Sequence, residues 1–553
     1  RYMIYRYYLK TVLNGGFVMS SIEAFVPLSE LVKNRIESLD DVRGRNFKID
    51  PSLLPDIRMR ENMARPYPAG DFDFLAVNVP STYQQGLIPD GEEAPHGLLR
   101  IIAAANDLNE TKPLYPKVDA GLLDAHRLRL QPGEILDQIL KTNSKVIGLN
   151  PTSVNVPEAQ AIAELCDTAG IPYILGGIHA TLDPVIARND FPGAAAIVRG
   201  TGELVIGPIV TSIINGKQPT INGVYWPETD HAKKMRTMDI EPGDIPMVRQ
   251  DRLVEAPVYT HTIAIDGEKR EIHEANLFVT YGCPFECTFC SSPVLVGRNE
   301  RTGKPSYRRP DMDRILDDVE HVVSGLGANA IHFLDDMAFI SQQHIDELHE
   351  GLKKRHLLSQ FIWRGLTRAP VVNRFNDETM DKMKESGAWK IALGVESGSD
   401  VVLKQIKKKV VVDDVRGAVT KLSNAGIQTK GFFIFGFPGE TMEQMNQTRA
   451  LIKELGMRGM TEISAFQFKP YPGTEAYQQL MERSPELAAQ LTYLRRYDSS
   501  EGTKAGARAS DTPWLADDIK IADVPSNAVR EQVERALEEF YGDRPSDAAA
   551  GCI

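Results

Sequence analysis

Three cysteines stand at CxxxCxxC spacing in the stretch NLFVTYGCPFECTFCSS, residues 276–292: Cys283, Cys287 and Cys290. An apolar run, Leu277 to Val279, ends at Tyr281-Gly282 just before them, which places them on a loop past a strand. Thiolates this close on one loop can converge on a single soft metal centre. A closed structural zinc site needs four ligands, and a ferredoxin-type cluster needs four cysteines. Three thiolates leave one iron of a four-iron, four-sulfur cluster without a protein ligand and open to a substrate or cofactor. Phe289, directly before the last cysteine, adds an apolar cover that could shield the cluster from water. The bland alternative is a zinc knuckle completed by a distant histidine. Only five cysteines occur among 553 residues, so three within eight positions is an improbable accident.

Strands and helices alternate on both sides of this loop. Upstream, strand-like runs are Phe74–Val79, Leu122-Leu123, Lys145–Leu149, Pro172–Leu175 and Ala195–Val198, separated by helical patterns around 95–108, 132–142 and 156–169. That rhythm predicts a parallel, doubly wound sheet with its ligand at the carboxyl ends of the strands. The loops at those ends are Ile147–Ser153, containing Asn150, Thr152 and Ser153; GGIHAT, containing Gly176, Gly177, His179 and Thr181; and RGTGE, ending at Glu203. Paired glycines let a bulky planar ligand approach the backbone, although Gly-Gly after a strand is commonly a plain turn.

Downstream, six βα repeats predict a partial barrel with active residues at the strand C-terminal ends. Asp335 and Asp336, Glu396 and Ser397, and Gly436 stand at such ends, and Arg364 and Arg368 near another. Acidic residues there could neutralise an amino group or accept from hydroxyls, or could merely cap the next helix. The arginines could meet a cofactor carboxylate or an anionic substrate, or could equally be solvated surface charge.

A net charge of −12 argues against nucleic acid as a partner. No apolar run approaches the ~20 residues of a membrane span, so no membrane association is expected. With no disulfide framework evident, a reducing cytoplasm is the expected compartment. The first residues make a poor signal peptide, and Met19 is the expected natural start.

The cysteine loop, the βα repeats behind it and the glycine-bearing strand ends before it together resemble the cobalamin-dependent (class B) radical S-adenosyl-L-methionine (SAM) methyltransferase family. The resemblance implies an N-terminal extension over 1–70, a Rossmann-like cobalamin-binding domain over 71–230, and a linker over 231–272. A partial (β/α)6 barrel over 273–475 and a helical cap over 476–553 complete the chain. The implied cofactors are a 4Fe-4S cluster on Cys283, Cys287 and Cys290, S-adenosyl-L-methionine, and cobalamin carried as methylcobalamin. Asp335, Asp336, Glu396, Ser397, Arg364 and Gly436 match the segments that contact S-adenosylmethionine. Asn150, Thr152, Ser153, Gly176, Gly177, His179, Thr181 and Glu203 match the loops that cradle the corrin and its tail. The cobalt-ligating motif DxHxxG is only partly present: Asp124-Ala125-His126 supplies its first half, but Arg129 stands where the glycine should be. His126 is thus either a cobalt ligand or an ordinary loop histidine.

The implied reaction is methyl transfer to an unactivated carbon, or a phosphinate phosphorus, of a small-molecule intermediate in natural-product biosynthesis. The implied electron donor is flavodoxin or ferredoxin, and the implied state a monomer. Cyclisation or rearrangement without methyl transfer is the nearest alternative, and a non-catalytic cobalamin sensor a weaker one. Methylthio transfer to RNA would need a second cysteine set that the sequence lacks.

Overall fold

A computed structural model describes residues 6–13, 16–23, 71–80, 95–111, 116–152, 155–230, 244–248, 252, 260–265, 268–297, 302–489 and 519–542. The basic, aromatic start forms an antiparallel hairpin, β1 (Arg6–Leu13) and β2 (Gly16–Glu23). Most of the expected N-terminal extension, Ser153 and the extreme C-terminus lie outside the described residues.

The first large sheet comprises β3 (Phe74–Val77), β4 (Ala120–Leu123), β5 (Val146–Leu149), β6 (Tyr173–Leu175), β7 (Ala196–Val198) and β8 (Val224–Tyr225). Its order is β4-β3-β5-β6-β7-β8, all neighbours parallel except the β7–β8 pair. The strands read as unbroken apolar runs because helices cover both faces of the sheet. Phe74, Ala76 and Ile174 face one core with helix α1 (His96–Thr111); Leu75, Val77 and Leu149 face another with α2 (Pro132–Lys141) and α3 (Val156–Ala169). The chain reverses direction across the sheet between β3 and β5, and a ligand crevice is expected beyond the carboxyl ends of those two strands.

One local expectation fails. GGIHAT is not an open loop; it starts a short helix, α4 (Gly177–Leu182). Gly177 adopts φ 81°, a left-handed turn that suits glycine, and the chain enters the helix directly.

The second sheet has the order β17-β16-β15-β14-β13-β10-β9. Its members are β9 (Thr260–Ile265), β10 (Glu268–Leu277), β13 (Ala330–Phe333), β14 (Ile362–Thr367), β15 (Ala388–Glu396), β16 (Gln428–Phe435) and β17 (Glu462–Gln467). A two-strand pair, β11 (Tyr281–Gly282) with β12 (Tyr307–Arg308), lies between β10 and β13 in the chain. Six strands are parallel, and β9 adds an antiparallel edge through its hairpin with β10. This is the partial (β/α)6 barrel expected from the repeats.

Alternation sorts the side chains. Trp363, Phe333, Ile391 and Phe433 pack outward in a single core beneath the helices. The charged residues of the same strands form ion pairs on the other side: Arg364 with Glu274, and Lys390 with Glu462. The C-terminal helix α5 (Ser526–Tyr541) closes the β17 edge; Tyr541 donates its hydroxyl proton to the Ile463 carbonyl at 2.9 Å. Among the described residues, no helix is long and apolar enough to cross a membrane.

Candidate functional site: a three-cysteine loop at the barrel mouth

The cysteine loop starts where β10 runs out, and Asp335 holds that end. Asp335 stands just past β13, is 3% exposed, and accepts from the Val279 amide (3.0 Å), the Thr280 amide (2.5 Å) and the Thr280 hydroxyl (2.6 Å). Burial pushes its carboxyl up to about 6, against the pull of these hydrogen bonds. Its carboxylate therefore positions the loop from beneath. Asp336, the next residue, is exposed, hydrogen-bonds the Ser292 hydroxyl, and bears electrostatically on Cys283 and Cys290.

The loop is pinned again at its middle. The Thr288 amide donates to the Ile406 carbonyl at 3.0 Å, and the Ala476 amide donates to the Thr288 carbonyl at 2.9 Å. Phe289 tilts against Phe437 with ring centroids 5.4 Å apart, and Phe437 meets Phe468 at 5.2 Å, giving the apolar cover. Burial pushes the Cys283 thiol up to about 11 and the Cys290 thiol up to about 12; each also feels Cys287. Desolvated thiols that repel one another as thiolates gain from a cationic centre between them, so the donor set fits an iron–sulfur cluster. Among the described residues, no three His, Cys, Asp or Glu side chains converge on the spacing of one metal ion. A cubane does not require that, because each thiolate binds its own iron.

Other strand-end residues are committed to partners. Glu396 has φ 69°, sits at a register break in β15, and meets Lys408 Nζ at 2.5 Å with both side chains 8% exposed. Ser397 is fully buried; its hydroxyl shares a hydrogen bond with Thr448 at 3.2 Å and accepts from the Ser399 amide. Gly436, at φ 87°, donates its amide to Glu440 Oε2 at 2.6 Å, as does Phe437 at 3.0 Å. Arg364 lies within β14, not at its end, and forms a two-pronged pair with Glu274 at 2.8 and 2.6 Å. The strand-end position expected for it is thus corrected: the register pairs it with His332 and Lys390, inside the sheet. Arg368, four residues further and just past the end of β14, does reach the cysteine loop.

In the first sheet, Asn150 and Thr152 follow β5 at the switch point. Asn150 Oδ1 is buried without a hydrogen-bond partner, beside Gly177, whose added Cβ would lie 3.2 Å from the Asn150 Cβ. An orphaned acceptor beside a close glycine turn at the crevice fits a ligand's polar edge. Thr152 donates its hydroxyl to Asn155 Oδ1 at 3.1 Å. His179 and Thr181 turn inward on α4: His179 Nε2 meets Asp190 at 2.9 Å, and Thr181 accepts from the Gly200 amide at 3.1 Å. His126 is half-buried on the turn after β4, its amide bonded to the Asn78 carbonyl, and burial lowers its imidazole pKa.

Glu203 does something the sequence did not suggest. It pairs with Arg100 of α1 at 3.0 Å, and the Arg100 guanidinium lies 4.3 Å over the ring of Tyr281, two residues before Cys283. His96, one turn earlier on α1, meets Phe278 at 5.1 Å; burial, then Arg100, pushes its pKa down to about 3, keeping it neutral. The N-terminal sheet is thereby clasped to the strand that feeds the cysteines. The signal that could have revealed this was a lone arginine in the apolar run LLRIIAAA.

Fold and site together define a class: a partial barrel whose mouth carries a three-thiol loop. Residues 277–452 match the sequence model of the radical SAM superfamily. An uncharacterized methyltransferase of Pyrococcus horikoshii is 26% identical over 366 residues, 65% of this chain and 74% of that protein. An anaerobic magnesium-protoporphyrin IX monomethyl ester cyclase of Rubrivivax gelatinosus is 23% identical over 66% of this chain and 63% of its own length. A cytidylyl-2-hydroxyethylphosphonate methyltransferase of Streptomyces wedmorensis is 24% identical over 63% and 69%. Among solved structures, the radical SAM methyltransferase TsrM from Kitasatospora setae, with cobalamin and a 4Fe-4S cluster bound, superposes with a TM-score of 0.56 at 18% identity, over 74% of this chain and 78% of that one. OxsB, a cobalamin-dependent SAM radical enzyme, gives 0.52 at 14% identity, over 90% and 66%. Residues 277–452 thus carry a radical SAM domain, and the chain shares the fold of TsrM and OxsB.

Proposed function

We propose that this chain is a cobalamin-dependent radical SAM methyltransferase acting on a small molecule. The observation that carries the reading is the three-thiol loop at the barrel mouth, clasped through Arg100 and Glu203 to a sheet whose switch point holds an unpartnered Asn150. When bound, the cluster would supply reductive cleavage of S-adenosyl-L-methionine and the corrin a methyl carrier. Cys283, Cys287 and Cys290 would hold the cluster, and Asp335 fixes the strand end from which they project. Arg368 Nη2 is buried without a hydrogen-bond partner, which leaves a donor for a carboxylate at the mouth. Phe289, Phe437 and Phe468 exclude water from one side of the loop. Asn150 and Thr152 line the crevice assigned to cobalamin.

The relatives favour methyl transfer: the Pyrococcus and Streptomyces proteins and TsrM are all named methyltransferases. A natural-product intermediate is the substrate class we favour, with the phosphonate methyltransferase relative as support for an anionic one. The Rubrivivax cyclase supports the second reading, ring closure without methyl transfer. Anaerobic incubation with S-adenosyl-L-methionine, cobalamin, a flavodoxin-class reductant and candidate substrates separates the two. Methyl transfer predicts S-adenosylhomocysteine, 5′-deoxyadenosine and a product heavier by one methylene. Deoxyadenosine with a cyclised product of unchanged carbon count would replace that reading with the second.

A further inference from the structure

We propose that Arg368 raises the reduction potential of the cluster held by Cys283, Cys287 and Cys290. This rests on the cluster assignment above and adds a role for a side chain that is not itself a ligand. Arg368 is the first residue past β14 and is 5% exposed. Its guanidinium carbon lies 3.7 Å from the centre of the Phe285 ring, within the cysteine loop. Nη1 is 3.9 Å from Cys287 Sγ. Arg364, four residues earlier and within β14, shows what an arginine does when its work is structural: it pairs with a carboxylate. The partners of Arg368 among the described residues are instead a ligand thiol and an aromatic ring.

The physical consequence follows from charge. An oxidised four-iron cluster with three thiolates carries one net negative charge, and one-electron reduction adds a second. A fixed cation a few ångströms away, in a site with little water, stabilises the doubly negative state more than the singly negative one. The potential therefore rises, and a one-electron donor of the flavodoxin or ferredoxin class reduces the cluster more completely. Phe285 holds the guanidinium plane by stacking, which a lysine cannot imitate, although lysine keeps the charge.

The test is an anaerobic redox titration of the reconstituted full chain, monitored by electron paramagnetic resonance, without S-adenosylmethionine. Wild type is compared with Arg368→Lys, Arg368→Gln and Arg368→Met, each normalised to its iron content. At a fixed applied potential, the reduced-to-oxidised ratio should fall roughly tenfold in Arg368→Met, about 59 mV for one electron. Arg368→Lys should stay within about threefold of wild type, and Arg368→Gln should fall with Met. If Met cannot hold the cluster, the Lys and Gln variants carry the same comparison. Ratios that agree within twofold across the cluster-bearing variants would overturn the proposal, as would a Lys variant that falls as far as Gln. A wild-type protein with no cluster signal would instead overturn the cofactor assignment beneath it.

Discussion

At the scale of single residues, the site depends on groups held in unusual electrostatic states. Glu440 is the clearest. It accepts from two backbone amides while burial pushes its carboxyl up to about 7. A carboxyl whose folded pKa lies above its unfolded value stabilises the fold fully below the unfolded value. That contribution is lost as pH climbs from about 4.5 toward 7. Glu440→Gln keeps an acceptor for the Gly436 and Phe437 amides and removes the ionisation. The variant should therefore gain on wild type, by on the order of 1–3 kcal/mol, as apoprotein melts are moved from pH 5 to pH 7.5. Parallel curves would refute the assignment. The Glu396–Lys408 pair predicts the opposite kind of effect. Lys408→Met leaves a buried, left-handed Glu396 without its cation and should cost about 3–5 kcal/mol, read as a lowered melting temperature.

Elements place these groups, and two junctions decide how well. Gly398 lets β15 approach the helix Met442–Met457: a Cβ there would lie 2.6 Å from the Gln447 carbonyl oxygen and from the Thr448 Cα. Both are backbone atoms, so Gly398→Ala should destabilise the barrel by about 2–4 kcal/mol, seen in thermal melts. The Arg100–Glu203 clasp is the second junction. Arg100→Met removes the cation between α1 and Tyr281 while leaving the thiols intact. We expect deoxyadenosine formation to persist and methylated product to drop at least tenfold, measured together by mass spectrometry. An unchanged ratio of the two would show that the clasp does not set the distance between the two sheets.

At the scale of the whole molecule, the architecture was readable in the sequence because each parallel strand is buried on both faces and its apolar run stands out. Cysteine spacing pointed to the candidate site for a similar reason: three scarce residues in eight positions leave few chemistries. What was not readable depends on contacts across the chain. Asp335 serves the loop that leaves β10, holding Thr280 from 55 residues away in sequence. Arg364 lies within β14 and Arg368 just past its end, four residues apart, yet one pairs with Glu274 and the other faces Cys287. GGIHAT reads as a loop because two glycines suggest a turn, whereas only one of them is needed for it. The most direct measurement of the central claim is electron paramagnetic resonance of oxygen-free, iron- and sulfide-loaded full chain after reduction. We predict a low-spin cluster signal from about four irons per chain that shifts when S-adenosyl-L-methionine is added and disappears in Cys287→Ala. A colourless, silent protein, or a signal indifferent to both changes, would contradict the account.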